Sequence, residues 1–360
     1  MKLIHTADLR LNAAGHVLLP PEKEKRRARE LTECLENMIA YAEKEEADAI
    51  LILGALFDTG RGFPHEKAAV FRLMEEHQEL LFFLLPESAA AYESFAAASE
   101  LPSNLKLFDA NWTQYGIGNV TVSGAVMTEE NRDALYENAV FEEDRVNIVL
   151  LTEADGKGGS LVEPFRLRRR NIDYLAYGPS LSYHMESLDE RGIICASGSP
   201  EGLDFAEEGP HGFVLLSIDP EKKQLSSHFV PFEKRRLYNV FVPLGGLKDT
   251  EAILEAAGKE LDRMQVPETA LVMLTLSGSM DIEAEKENKK IIEALSPYCF
   301  HLEIEDKVRF TYDPARYEKD VSLKGEFVRR VTADDTLSEE ERIRILRMGL
   351  QAIQRGEVTA

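Results

Sequence analysis

Three short apolar runs near the amino terminus, KLIHT at 2–6, DAILILG at 48–54 and LLFFLL at 80–85, alternate with charged stretches, and this alternation constrains the fold most. Each run is too short for a helix and has the composition of a buried strand. The stretches between them, roughly Pro21 to Glu46 and Pro64 to Gln78, predict helices, the second carrying Val70, Leu73, Met74 and His77 at helical spacing. Strand, helix, strand, helix, strand implies βαβ units and a largely parallel inner sheet, whose ligand-binding loops lie at the carboxyl ends of the strands.

After Pro102 the pattern turns to strands: NLKLF, NVTVSGAVM, VNIVLL, DYLAYG, GIICASG, HGFVLLSID and SSHFVPF, with Asp219-Pro220 marking a turn between the last two. Two stacked sheets flanked by helices accommodate this order. Near Lys234-Arg235-Arg236 the chain starts afresh with YNVFVPL, a helix from about Asp249 to Met264, LVMLTLSG, a helix from about Ile282 to Leu295, and HLEIEDKVRFTY. That is a small α/β unit. From Asp313 the chain is polar, and Ser338 is a natural cap for a helix running toward Ile353. The expected division is therefore 1–235, 236–312 and 313–360.

Composition narrows the function. Hydrophobic residues make up 44% and charged residues 29%, as in an ordinary globular protein. Forty-two basic against 64 acidic residues leave a formal charge of −22, which opposes nonspecific attraction to a phosphate backbone. Cys34, Cys195 and Cys299 are widely spaced and form no CxxC pair, so neither a disulfide framework nor a zinc site is expected. The opening MKLIHTADLR reaches an aspartate too early for a signal peptide, and no apolar run approaches membrane-spanning length. A cytoplasmic protein that engages no membrane is the expectation.

The loops after the strands carry the residues that decide the chemistry. They read Asp8-Leu-Arg10 after the first strand, Gly54-Ala55-Leu-Phe-Asp58 after the second and Pro86-Glu87-Ser88 after the third. Thr152 closes VNIVLL, and Gly178-Pro179-Ser180-Leu181 closes DYLAYG. These segments resemble the metal motifs of calcineurin-like metallophosphoesterases. The stretch Ser197 to Phe213, together with Lys324 to Arg329 and the following Leu-Ser-Glu-Glu-Glu-Arg, is similar to SbcD/YhaO-type DNA-repair exonuclease subunits.

The resemblance implies an α/β fold, a metallophosphoesterase-like two-sheet sandwich flanked by helices, plus a small α/β cap domain and a helical C-terminal tail. It also implies that the family's metal ligands are mostly replaced. Arg10 and Ala55 stand where a histidine and the bridging aspartate are expected. Glu87 and Ser88 replace asparagine and histidine, and Thr152, Pro179 and Leu181 replace three further histidines. A guanidinium is always protonated and cannot coordinate a cation, though it can neutralise Asp8. Asp8, Asp58 and Glu87 remain as candidate metal ligands, with Asp58 more a turn or cap residue than a ligand.

Other histidines offer little compensation. His5 lies inside a strand, where packing or hydrogen bonding is the simpler role, while His16, His65 and His184 sit on loops near the predicted site. Basic clusters at Lys23 to Arg29 and Arg166 to Arg170 have the composition of solvated surface more than of phosphate contacts.

The reading is a catalytically degenerate SbcD-like subunit serving as a scaffold, with no cofactor. Its expected partners are a coiled-coil ATPase of the SbcC type, docked through Ile343, Leu346 and Leu350, or a second copy of the chain. The alternative is an active Mn2+-dependent phosphodiesterase or DNA exonuclease with a rebuilt site. A DNA-binding module without hydrolysis is a third reading.

Overall fold

A computed structural model describes residues 1–13, 15, 17–57, 64–97, 101–153, 162–178, 180 and 182–355, with the side chains of 64, 65, 153, 354 and 355 left aside. The chain divides into two compact units, Met1–Arg236 and Leu237–Ala360.

The first unit is a two-sheet α/β sandwich. Its strands are β1 (Lys2–Ala7), β2 (Ala49–Gly54), β3 (Leu81–Pro86), β4 (Leu105–Leu107), β5 (Thr113–Ile117), β6 (Val120–Met127), β7 (Val146–Glu153), β8 (Tyr174–Tyr177), β9 (His184–Ser187), β10 (Ile193–Ala196), β11 (Gly212–Asp219) and β12 (Gln224–Pro231). Its helices are α1 (Pro21–Thr32), α2 (Cys34–Lys44), α3 (Pro64–Glu76), α4 (Ala89–Ala96) and α5 (Arg132–Glu137). One sheet has the order β12-β11-β1-β2-β3-β4, the other β5-β6-β7-β8-β10-β9. β1 to β4 are mutually parallel, as are β6, β7, β8 and β10, while β11, β12, β5 and β9 run antiparallel to their neighbours.

Period-two alternation assigns each strand residue to a layer. Leu3, Leu51, Leu53, Phe83, Val122, Ile148, Tyr174 and Leu216 fill the space between the sheets. Ile4, Ile50, Ile52, Phe82 and Leu84 point the other way, onto Leu35, Met38 and Ile39 of α2 and Val70 and Met74 of α3. Strands buried on both faces read as near-continuous apolar runs, as β2 and β3 do, while β1 departs from this at the buried His5 and Thr6.

The second unit has its own core. β13 (Leu237–Pro243), β14 (Leu271–Asp281) and β15 (His301–Thr311) form a parallel sheet in that order, and α6 (Thr250–Arg263) and α7 (Asn288–Leu295) contribute Ile253, Leu261, Ile291 and Leu295 against its inner face. α8 (Leu323–Thr332) and α9 (Glu339–Arg355) pack on Ile282, Phe310 and Tyr317 through Val328, Leu346 and Leu350.

Some expected boundaries shift. The first helix is interrupted at Glu33, yet hydrogen bonds from Glu33 N to Arg29 O and Asn37 N to Glu33 O continue across the break. α7 begins at Asn288 rather than Ile282, because the N–H groups of Ile282, Glu283 and Glu285 are taken by Thr311 O, Asp281 Oδ1 and Lys248 O. Short elements that periodicity did not reveal are α4, α5, α8, β5 and β9.

Candidate functional site

The carboxyl ends of the two sheets meet. A Cβ built at Gly178, just past β8, would lie 3.6 Å from Leu53 Cβ near the end of β2. The loop after β1 is laced to the loop after β2 by Asp8 N to Leu53 O at 2.9 Å, Arg10 N to Ala55 O at 3.0 Å and Leu11 N to Leu56 O at 3.1 Å. Those bonds hold Asp8 and Arg10 at φ of 46° and 43°, a region a non-glycine residue occupies only when its surroundings impose it. Gly54, at φ 76°, completes the turn, and a Cβ there would stand 2.3 Å from Asp8 Oδ1.

Asp8 is buried, and its Oδ1 accepts from Ala55 N at 2.9 Å. Burial raises its pKa, the Ala55 N–H and the Arg10 charge oppose that rise, and Glu207 adds to it. Arg10 directs its hydrogen bonds elsewhere. Its Nη1 and Nη2 donate to Glu207 Oε1 and Oε2 at 3.1 and 2.9 Å, the two-pronged geometry that suits a guanidinium and a carboxylate. Arg10 therefore acts on Asp8 through its charge and not through a hydrogen bond. Asp8 receives only the field of the guanidinium, and the direct partner is a residue 197 positions away.

Glu207 is itself fixed from three sides. Leu203 N donates to Glu207 Oε2 at 3.2 Å, and the Glu207 carbonyl lies 2.8 Å from His211 Nε2. The other His211 nitrogen is 3.1 Å from the Ser199 hydroxyl. The Ser197 to Phe213 stretch is therefore a rigid platform that presents Glu207 to Arg10. Sequence reasoning missed Glu207, since nothing local separates it from Glu208.

The remaining positions are less charged. Glu87 follows β3; burial raises its pKa and so does Asp8, and its Oε2 is a buried atom without a hydrogen-bond partner. Ser88 caps α4, its hydroxyl accepting from Ala91 N at 3.1 Å. Thr152 is buried and its Oγ1 has no hydrogen-bond partner. Asp58, Pro179 and Leu181 lie outside the described residues, as do His16 and the side chain of His65. His184 is exposed on β9 beside Glu186, and His5 is buried with Nδ1 2.7 Å from the Tyr174 hydroxyl.

A two-metal centre needs a carboxylate shared by both ions and further oxygen or imidazole ligands around it. Ala55 offers no bridge, Arg10 no lone pair, and one Asp8 oxygen is already engaged by a backbone N–H. Among the described residues no three His, Cys, Asp or Glu side chains converge in a way that could hold an ion. The described residues do not fit a two-metal site.

The basic clusters also resolve. Arg27 is not solvated: it is buried on α1, donating to Glu201 Oε2 and Gly202 O, both at 2.9 Å. Arg166 pairs with Asp133, and Arg168 and Arg170 donate to the carbonyls of Leu188 and Ala139. Leu346 and Leu350, expected on a docking face, are buried inside the second unit, and Ile343 is half-buried against the same core. Helical spacing identified an apolar stripe but not what covers it. Ile345 and Met348 are the exposed apolar residues of α9. Among the described residues no helix is long and apolar enough to cross a membrane.

No protein-family model matches the sequence. No curated protein matches it either. Among solved structures the chain is similar to the TT1561 protein of Thermus thermophilus, at TM-score 0.41 and 16% identity over 63% of this chain and 98% of that one. It is also similar to the 5'-nucleotidase from Candida albicans, at TM-score 0.37 and 10% identity over 74% of this chain and 59% of that one.

Proposed function

We propose that this chain is a metallophosphoesterase-type, SbcD-like scaffold that has lost hydrolysis and acts by binding a partner. The observation that carries the reading is the Arg10–Glu207 pair beside Asp8. At the strand ends, where hydrolysis would need a cation, the chain supplies its own fixed positive charge and anchors it with a buried carboxylate. Ala55 in place of a bridging acid, and Ser88 spent on a helix cap, support the same conclusion. No cofactor is needed for this role. The partners it suits are an SbcC-type coiled-coil ATPase or a second copy of the chain, in the cytoplasm, and the −22 charge weighs against DNA as the main ligand.

One observation favours a second reading. Asp8 raises the cost of ionising Glu87, and Glu87 Oε2 lacks a donor, so the pair could take one Mn2+ with Asp58 in a rebuilt phosphodiesterase or exonuclease site. Calorimetric titration of metal-stripped protein with manganese separates the two. The scaffold reading expects no binding at millimolar metal and no hydrolysis of bis-nitrophenyl phosphate or linear DNA. Tight uptake of one or two ions, lost in Glu87→Gln and accompanied by hydrolysis, would replace it with the second.

A further inference from the structure

A groove of about 870 Å³ opens in the second unit between the end of β15, the 285–287 loop and α9. One wall is the edge of a sheet. Asp281 is the β14 residue in register with Thr311, and the Thr311 carbonyl accepts from Ile282 N at 2.9 Å. Alternate residues of a parallel strand bond to a given neighbour, so Arg309 and Thr311 turn their backbone toward β14 while Val308 and Phe310 turn theirs outward. The Val308 N–H is capped by Asp306 Oδ1 at 3.2 Å. Phe310 is not: among the described residues no strand pairs with this side of β15.

The groove also carries unbalanced charge. The Arg347 guanidinium lies 3.6 Å over the Phe310 ring, and its Nε is buried without a hydrogen-bond partner. Asp306 exerts a field on Arg347, but its carboxylate is held by Lys286. Arg309, Arg344 and Arg347 have no carboxylate partner among the described residues. Of the four glutamates on the rim, Glu287 is paired with Lys290 and Glu339 with Arg342, leaving Glu285 and Glu340 against three arginines. The groups without an ion-pair partner among the described residues thus leave one cation in excess, in a chain of net charge −22.

We propose that the groove binds an extended acidic segment of a partner protein, added to β15 as a fourth strand with a carboxylate on Arg347 and Arg344. An edge N–H and C=O are satisfied by another backbone, which a free anion cannot supply, and alternate side chains of an added strand meet the groove wall. The carboxylate gives the half-buried guanidinium a charged acceptor. This site is independent of the strand-end chemistry of the first unit and does not rest on the function proposed above.

The test uses the full chain and a fluorescein-labelled, end-blocked hexapeptide alternating Val and Glu, followed by anisotropy. Expected is saturable binding that weakens about tenfold or more in Arg347→Gln. A peptide N-methylated at alternate residues should lose binding to the same extent while the protein stays untouched, and hydrogen exchange at 308–311 should slow on binding. No binding at millimolar peptide, or equal binding of a Val–Lys peptide, would overturn the proposal. Binding that survives N-methylation but not Arg347→Gln would overturn the added strand and leave a helix or a second copy of the chain as occupant. Arg347→Gln binding as tightly as the parent would remove the carboxylate contact.

Discussion

At the scale of single residues, the Arg10–Glu207 pair is the feature with the largest consequence. Both groups are largely buried, so removing one leaves the other uncompensated. Glu207→Gln should cost about 3 kcal/mol in urea unfolding, and Arg10→Gln a similar amount. The double variant should recover part of that loss, giving a coupling of about 1 kcal/mol or more; additive losses would show that the pair is not coupled. His5 makes a prediction in pH. Burial pulls its pKa from 6.5 down to about 3, so the folded chain holds it neutral. Between those values the unfolded chain binds one more proton than the folded chain, and stability falls as pH drops, by about 1.4 kcal/mol per pH unit from this group. His5→Gln should flatten the loss between pH 6.5 and pH 3; an unchanged slope would mean that His5 is protonated in the folded chain. Arg10 and Ala55 were legible in the sequence because they fall just past strands that the apolar runs locate, and because the resemblance implies ligands there. Glu207 was not, because its role depends on a contact between residues far apart in the chain.

At the scale of elements, two glycines in helices separate packing from intrinsic preference. Gly258 in α6 has nothing within 4 Å of where a Cβ would go, so Gly258→Ala should stabilise the second unit by about 0.5–1 kcal/mol through helix propensity alone. Gly349 in α9 is different. A Cβ there would sit 2.1 Å from Phe327 Cζ of α8, so the two helices approach through the missing side chain. Gly349→Ala should destabilise by about 1–2 kcal/mol despite the better propensity, read by denaturant midpoint. Equal effects at the two positions would mean that α8 and α9 do not pack this closely. The long helices and buried strands were readable because their periods persist over several turns or pairs. α5 spans only 6 residues, too few for a period to declare itself, and β9 is exposed along its whole length, so no buried face marks it.

At the scale of the whole molecule, each unit closes its own core. The second encloses Val240, Ile253, Val272, Leu274 and Ile291 between sheet and helices and seals its far end with Tyr317, Val328 and Leu346. A fragment from Leu237 to Ala360 should therefore unfold cooperatively by circular dichroism when made alone, and a fragment ending before α8 should be less stable because Ile282 and Phe310 lose their cover. A featureless melt of the longer fragment would show that it depends on the first unit. The sequence by itself determined the α/β class and the largely parallel strands, since these follow from local period, and it placed Asp8, Arg10, Ala55 and Glu87 at the strand ends. Only the tertiary structure decided that Arg10 is anchored by Glu207, that Arg27 turns inward to Glu201, and that Leu346 and Leu350 are covered while Met348 is not. Those outcomes depend on which distant surface arrives opposite each side chain, and burial makes every such pairing energetically decisive.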